Sequence, residues 1–145
     1  MLIGLETLSL RVKHEVESTY RLAEYCRNHP KVKSVSFVGF EEHPSHALAK
    51  KYLPKGCSGV ISFEVKGGRD SAMKFMDSMK LAAIVVHVAD ARTCVLHPAS
   101  ETHRQLTDEQ LVACGITPDL VRFSVGLENV EDIIADIEQA MKKAF

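Results

Sequence analysis

Arg122 and Ser124 stand on one side of the stretch LVRFSVG, and Val121, Phe123 and Val125 stand on the other. Successive side chains of a strand point to opposite faces, so this spacing predicts one apolar face and one face carrying a cation. A guanidinium is a rigid fork that matches a carboxylate through two parallel hydrogen bonds, so Arg122 is a candidate for anion capture. A solvated or loosely paired surface arginine is the competing reading of this strand alone.

His87 lies in AAIVVHVA, which also alternates and reads as a strand over 82–89. Ile84, Val86 and Val88 fall on its expected core face, with Ala83, Val85 and His87 on the other. His87 and Arg122 are thus expected on the same, uncovered side of a sheet. His43 and His46 in HPSH, and His97 and His103 in HPASETH, raise a metal hypothesis. No cysteine or carboxylate set joins them at ligand spacing, so the expectation is no metal site. Cys26, Cys57, Cys94 and Cys114 form no C-x-x-C pair and read as small apolar residues rather than disulfides or zinc ligands.

The elements that must position these residues follow from periodicity. A helix is expected over 5–28, with Leu5, Leu8, Val12, Val16, Thr19, Ala23 and Cys26 as its stripe. Strands are expected at 32–38 and 60–65, the first with Val32 and Val35 on opposite faces. Helices are expected at 43–53 and 69–80, the latter burying Ala72, Phe75, Met76 and Met79. Cys94 to Ser100 reads as a short extended piece ending in a turn. Thr107 to Gln110 has the form of a capping box, with Gly115 as the helix stop. Asn129 caps a last helix, with Ile133, Ile134, Ile137 and Met141 as its stripe. The fold class expected is α/β, an α+β two-layer sandwich with helices on one face of the sheet.

The 145 residues suit one domain, and 46% apolar with 26% charged residues suits a globular chain. A formal charge of −1 leaves no electrostatic footprint for nucleic acid or an acidic membrane. The longest apolar run, LAAIVVHVA, is too short to span a bilayer, and the first residues lack a signal layout. A cytoplasmic location is expected, with neither nucleic acid nor membrane as partner.

Taken together, GLETLSLRV, HPKVKSV, HPSHALAKKYLPKG, SFEVKGG, HPASETH and VRFSVGLENVEDIIADIEQA occur in order from about Gly4 to Met141. On these segments the chain resembles the C-terminal domain of the Cys/Met-metabolism family of pyridoxal-phosphate enzymes. Within the family the resemblance is nearest to the O-acetylhomoserine sulfhydrylases, with cystathionine γ-synthases and methionine γ-lyases similar. It implies the small domain of a fold-type I transferase, with a mostly antiparallel sheet. It also implies that Arg122 binds the α-carboxylate of an amino-acid substrate such as O-acetylhomoserine. His87 stands where the family has Ser or Asn near that carboxylate. His97, Pro98 and Ser100 match the family, and Glu101 replaces its Thr or Met.

The family's Schiff-base lysine motif, S-x-T-K, does not occur in this chain. The resemblance therefore implies that residues 1–145 are one carboxyl-terminal domain, that the pyridoxal-phosphate domain is absent, and that this chain alone binds no cofactor and is inactive. A homo-oligomer is expected, formed through the uncovered sheet face. The competing reading is a stand-alone binding or interaction module that reuses the domain without its chemistry.

Overall fold

A computed structural model describes residues 2–145 of the chain; Met1 lies outside the described residues. Helices α1 (Leu2–Glu6) and α2 (Leu8–Asn28) lead into β1 (Val32–Ser36), α3 (His46–Tyr52), β2 (Val60–Val65) and α4 (Gly68–Asp77). Then come β3 (Ala83–Ile84), β4 (Cys94–Leu96), α5 (Asp108–Ala113), β5 (Leu120–Ser124) and α6 (Val130–Ala144). The strands form one sheet in the order β1-β2-β5-β4-β3. All neighbours are antiparallel except β3 and β4.

The sequence alternation explains how the sheet packs. Ile61, Phe63 and Val65 of β2 share a face with Val121 and Phe123 of β5 and Val95 of β4, and all are buried. Against them lie Leu22, Ala23 and Cys26 of α2, Ala72, Phe75 and Met76 of α4, and Ile133, Ile137 and Met141 of α6. Phe63 and Phe123 stack at 5.5 Å between ring centroids, and Phe75 crosses Phe63 at 6.1 Å. Burying side chains of this size contributes roughly 1.5–3 kcal/mol each before entropy is counted. The two-layer sandwich with helices on one face is as expected.

Local signals set most helix ends. Thr107 and Gln110 form a reciprocal capping box at α5, and Gly115 follows it at φ 75°, a conformation that favours glycine. The Asn129 side chain accepts from the Glu131 N–H at the start of α6. The turn after α4 depends on a distant residue. The buried carboxylate of Asp136 on α6 accepts from the backbone N–H groups of Lys80 (2.9 Å), Leu81 (2.8 Å) and Ala82 (3.1 Å).

Three expectations need correction. The first helix is interrupted at Thr7, and its apolar stripe is buried only from Thr19 through Ala23 to Cys26. Leu5, Leu8 and Val12 are exposed, because no other element of this chain covers that end. Val32 and Val35 share a face, since a bulge between Val32 and Ser34 resets the alternation. The strand expected over 82–89 is only Ala83–Ile84, and Ile84, Val86 and Val88, expected in the core, are exposed. Its partner β4 extends only one residue, Leu96, past the last pair Ile84–Val95 before the turn at His97 to Ser100, so the parallel ladder has little to continue against.

Candidate functional site

Arg122 sits in the middle of the sheet. Its register partners are Ser62 on β2 and Leu96 on β4. Val121, Phe123 and Val125 are fully buried on the helix face, which forces Arg122 and Ser124 to the opposite face. Arg122 is half-buried there. Its Nη2 donates to the Val86 carbonyl at 2.9 Å. Its Nε is buried without a hydrogen-bond partner. Among the described residues no carboxylate lies within ion-pair distance of the guanidinium, although other cations of the chain are paired. A buried N–H is nearly always satisfied in a native protein, so this one marks an unfilled requirement.

The segment after β3 folds over this face instead of extending it. Val86 is held by Arg122, and the Ala89 N–H donates to the buried Ser124 Oγ at 3.0 Å. Ala89 has a positive φ of 57°, which costs a residue with a Cβ about 1–2 kcal/mol. His87 lies between these anchors. It is therefore a loop residue and not, as its alternation suggested, a strand residue beside Arg122. The side chain is 56% exposed, and its Nδ1 donates to Asp90 Oδ2 at 2.9 Å. That hydrogen bond is the chief reason the Asp90 carboxyl is held below the usual carboxylate range.

The far end of the loop is clamped by groups that alternation does not reveal. Glu128 accepts from the Thr93 N–H at 2.7 Å and from its hydroxyl at 2.8 Å. The Thr93 hydroxyl in turn accepts from the Gly126 N–H at 3.0 Å. A Cβ on Gly126 would lie 2.4 Å from Arg92 C and Thr93 N, so only glycine permits this approach. Sequence reasoning missed Asp90, Thr93 and Glu128. The short spacing from His87 to Asp90 was a readable signal; the pairing of Thr93 with Glu128 was not.

His97 is structural. It is fully buried, its Nε2–H donates to the Pro118 carbonyl at 2.8 Å, and its Nδ1 accepts from the Ser100 hydroxyl at 2.7 Å. Burial pushes its pKa down. His43 and His46 serve the turn before α3, where His43 Nδ1 accepts from the Ser45 N–H and His46 Nδ1 donates to the Val38 carbonyl. Among the described residues no three His, Cys, Asp or Glu side chains gather to hold a metal. The four cysteines are free; burial raises the Cys26 thiol to about 12. Among the described residues no helix is long and apolar enough to cross a membrane.

A half-buried unpaired guanidinium on an open sheet face is equipped to grip a carboxylate. A family profile described as Cys/Met metabolism PLP-dependent enzyme matches residues 1–142. The chain belongs to this family. It is 50% identical over 144 residues to a homocysteine synthase from Schizosaccharomyces pombe, a match covering 99% of this chain and 34% of that protein. It is 41% identical over 143 residues to an O-acetyl-L-homoserine sulfhydrylase from Leptospira meyeri, covering 98% of this chain and 32% of that protein. A solved structure from Campylobacter jejuni, assigned as an O-acetylhomoserine (thiol)-lyase, superimposes with a TM-score of 0.90 at 37% identity. That match covers 97% of this chain and 34% of the other, which carries a pyridoxyl-lysine phosphate. The chain thus spans about a third of the length of the relatives it matches.

The family's cofactor does not fit the residues of this face by themselves. A Schiff base with pyridoxal phosphate needs an amine that can lose its proton. Lys33, which reaches over the open face, is paired with Glu64 at 3.2 Å and Asp119 at 3.4 Å. The Glu64 hydrogen bond is the chief cause that raises its pKa and keeps it charged. Lys33 is therefore held as an ion-paired ammonium rather than a free amine.

Proposed function

We propose that this chain supplies the substrate-carboxylate site of a pyridoxal-phosphate-dependent O-acetylhomoserine sulfhydrylase. The observation that carries the reading is Arg122, half-buried, unpaired, and left with a buried Nε–H. In this reading its guanidinium takes the α-carboxylate of O-acetylhomoserine and fixes the amino acid's orientation. His87, on the loop that Arg122 holds, borders the same carboxylate. The cofactor and its lysine belong to a larger domain of the complete enzyme, so the 145 residues alone bind no cofactor and are inactive.

The identities of 50% to a homocysteine synthase and 41% to an O-acetyl-L-homoserine sulfhydrylase support this substrate class. The exposed apolar residues Leu5, Leu8 and Val12 support a covering domain at that end. Singly exposed leucines are ordinary, but a row along one helix end is what a partner surface requires. The test replaces Arg122 in the complete enzyme and measures kcat/KM for O-acetylhomoserine beside cofactor content. Unchanged kcat/KM would remove Arg122 from the site.

A further inference from the structure

The loop over Arg122 is closed at its base by one residue. The chain leaves β3 at Ile84 and returns to the sheet at Cys94, and the Ala83 N–H donates to the Thr93 carbonyl at 2.9 Å. Residues 85–92 are therefore an excursion whose two ends meet at Thr93. Thr93 is fully buried, and each of its polar atoms is used. Its N–H and hydroxyl donate to the two carboxylate oxygens of Glu128 at 2.7 and 2.8 Å, and the hydroxyl accepts from the Gly126 N–H at 3.0 Å. The Leu127 N–H donates to the Ala91 carbonyl at 2.9 Å. Gly126, Leu127 and Glu128 lie between β5 and α6, so the strand that carries Arg122 leads directly into the grip on the loop base.

The other contacts run from β5 to the middle of the loop. The Val86 carbonyl accepts from Arg122 Nη2 at 2.9 Å, and Ser124 Oγ accepts from the Ala89 N–H at 3.0 Å. A guanidinium on a long stem has many rotamers, and a ligand that must first order it binds more weakly. The Val86 carbonyl removes that cost only if the loop bearing it is itself fixed. One bond to a loop carbonyl is worth too little to fix the loop. The paired contact from Glu128 to Thr93 is charge-assisted, and each such bond is roughly twice as strong as one between neutral groups.

We infer that Glu128 is a positioning residue for Arg122: by holding Thr93 it fixes the loop whose Val86 carbonyl orients the guanidinium, so that the fork is ordered before a carboxylate arrives. The inference rests on the reading of Arg122 as the carboxylate residue. Glu128 acts through Thr93 and the loop, and its loss therefore weakens capture without removing the cation. A change of about three- to tenfold in substrate affinity is expected, the scale of ordering one long side chain.

The test uses the complete enzyme and follows KM and kcat for O-acetylhomoserine beside cofactor content. Thr93→Val keeps the shape of the side chain and removes its hydroxyl, and Glu128→Ala removes both acceptors. Each should raise KM about three- to tenfold while kcat changes less than about twofold, because the lost binding is common to ground state and transition state. Thr93→Ser, which keeps the hydroxyl, should return KM to the unaltered value. Added to Arg122→Ala, Glu128→Ala should cost little more, since both changes act on one contact. Unchanged KM in Thr93→Val would overturn the inference and leave Arg122 in place. So would a loss confined to kcat and matched by lost cofactor content, which marks a structural role, and so would full additivity with Arg122→Ala. If Glu128→Ala fails to fold, Glu128→Gln, which keeps an acceptor for the Thr93 N–H, is read by the same criteria beside Thr93→Val. Unchanged kcat/KM in Arg122→Ala would instead overturn the Arg122 reading itself.

Discussion

Arg122 and Val86 are joined by one 2.9 Å hydrogen bond from the centre of the sheet to the loop that follows β3. The bond occupies one nitrogen of the fork and leaves Nε buried without a partner. The arginine therefore orders the loop while keeping binding capacity for an anion. In the proposed reading, removing it has two separable consequences, one for the loop and one for the substrate.

Arg122→Ala in the complete enzyme should lower kcat/KM for the amino-acid substrate with cofactor content unchanged. Losing one partner of a desolvated charge pair costs about 2–5 kcal/mol, roughly 30-fold to a few thousand-fold. Arg122→Lys should recover little, because an ammonium cannot reproduce the fork. Steady-state kinetics with both variants decide the matter, and full recovery by lysine would argue against bidentate capture.

Ser124 and Ala89 make opposite predictions at one contact. Ser124→Ala removes the acceptor for the Ala89 N–H and should cost about 1 kcal/mol. Ala89→Gly relieves the 57° φ and should stabilise by up to about 1 kcal/mol. Urea unfolding of both variants would show the two signs. A destabilised Ala89→Gly chain would mean that the left-handed conformation carries little strain.

Asp136 holds the turn between α4 and β3 through three backbone N–H groups. Asp136→Ala leaves these donors without their acceptor and should cost about 2–4 kcal/mol. Asp136→Asn keeps one acceptor oxygen and should cost less. Thermal melts rank the pair, and an alanine variant within about 0.5 kcal/mol of the unaltered chain would contradict the assignment.

His97 should make stability depend on pH. Burial lowers its folded pKa below the ordinary 6.5, so below that value the unfolded chain binds more protons than the folded one. The contribution of neutral His97 is fully present above about pH 6.5 and is lost as the pH falls toward the depressed folded value. The stability gap between the unaltered chain and His97→Gln should therefore narrow from about pH 7.5 to about pH 5. Urea unfolding at both values tests this, and a gap that widened in acid would reverse the sign.

Self-association should run through the edge of the sheet. Ile84 at the end of the β3–β4 ladder and Val86 and Val88 beyond it are exposed, where Ala83 and Val85 had been the expected contacts. Such a patch favours a two-fold dimer that puts the same surface on both copies. Sedimentation across a concentration series should show a dimer of the 145-residue chain, weakened by the double change Val86→Asp and Val88→Asp. A strictly monomeric unaltered chain would exclude the contact.

What the sequence by itself determined is the set of features encoded within a few residues. The alternation at Val121, Phe123 and Val125 placed Arg122 on the open face, the Thr107–Gln110 spacing capped α5, and Val60–Val65 formed a strand with the expected limits. Each depends on the chain's own geometry over one or two turns. Tertiary structure alone decided the rest. The alternation of 82–89 is as regular as that of 121–125, yet most of it becomes a loop, because β4 extends only to Leu96, one residue past the partner of Ile84. The bulge after Val32 is set by pairing with β2, and the exposed end of the first helix by what fails to pack on it. The loop that carries His87 lies over this face because Arg122 and Ser124, more than thirty residues away, satisfy its backbone at Val86 and Ala89. A backbone group out of reach of its own strand must find a partner elsewhere, and which partner is available depends on the folded chain.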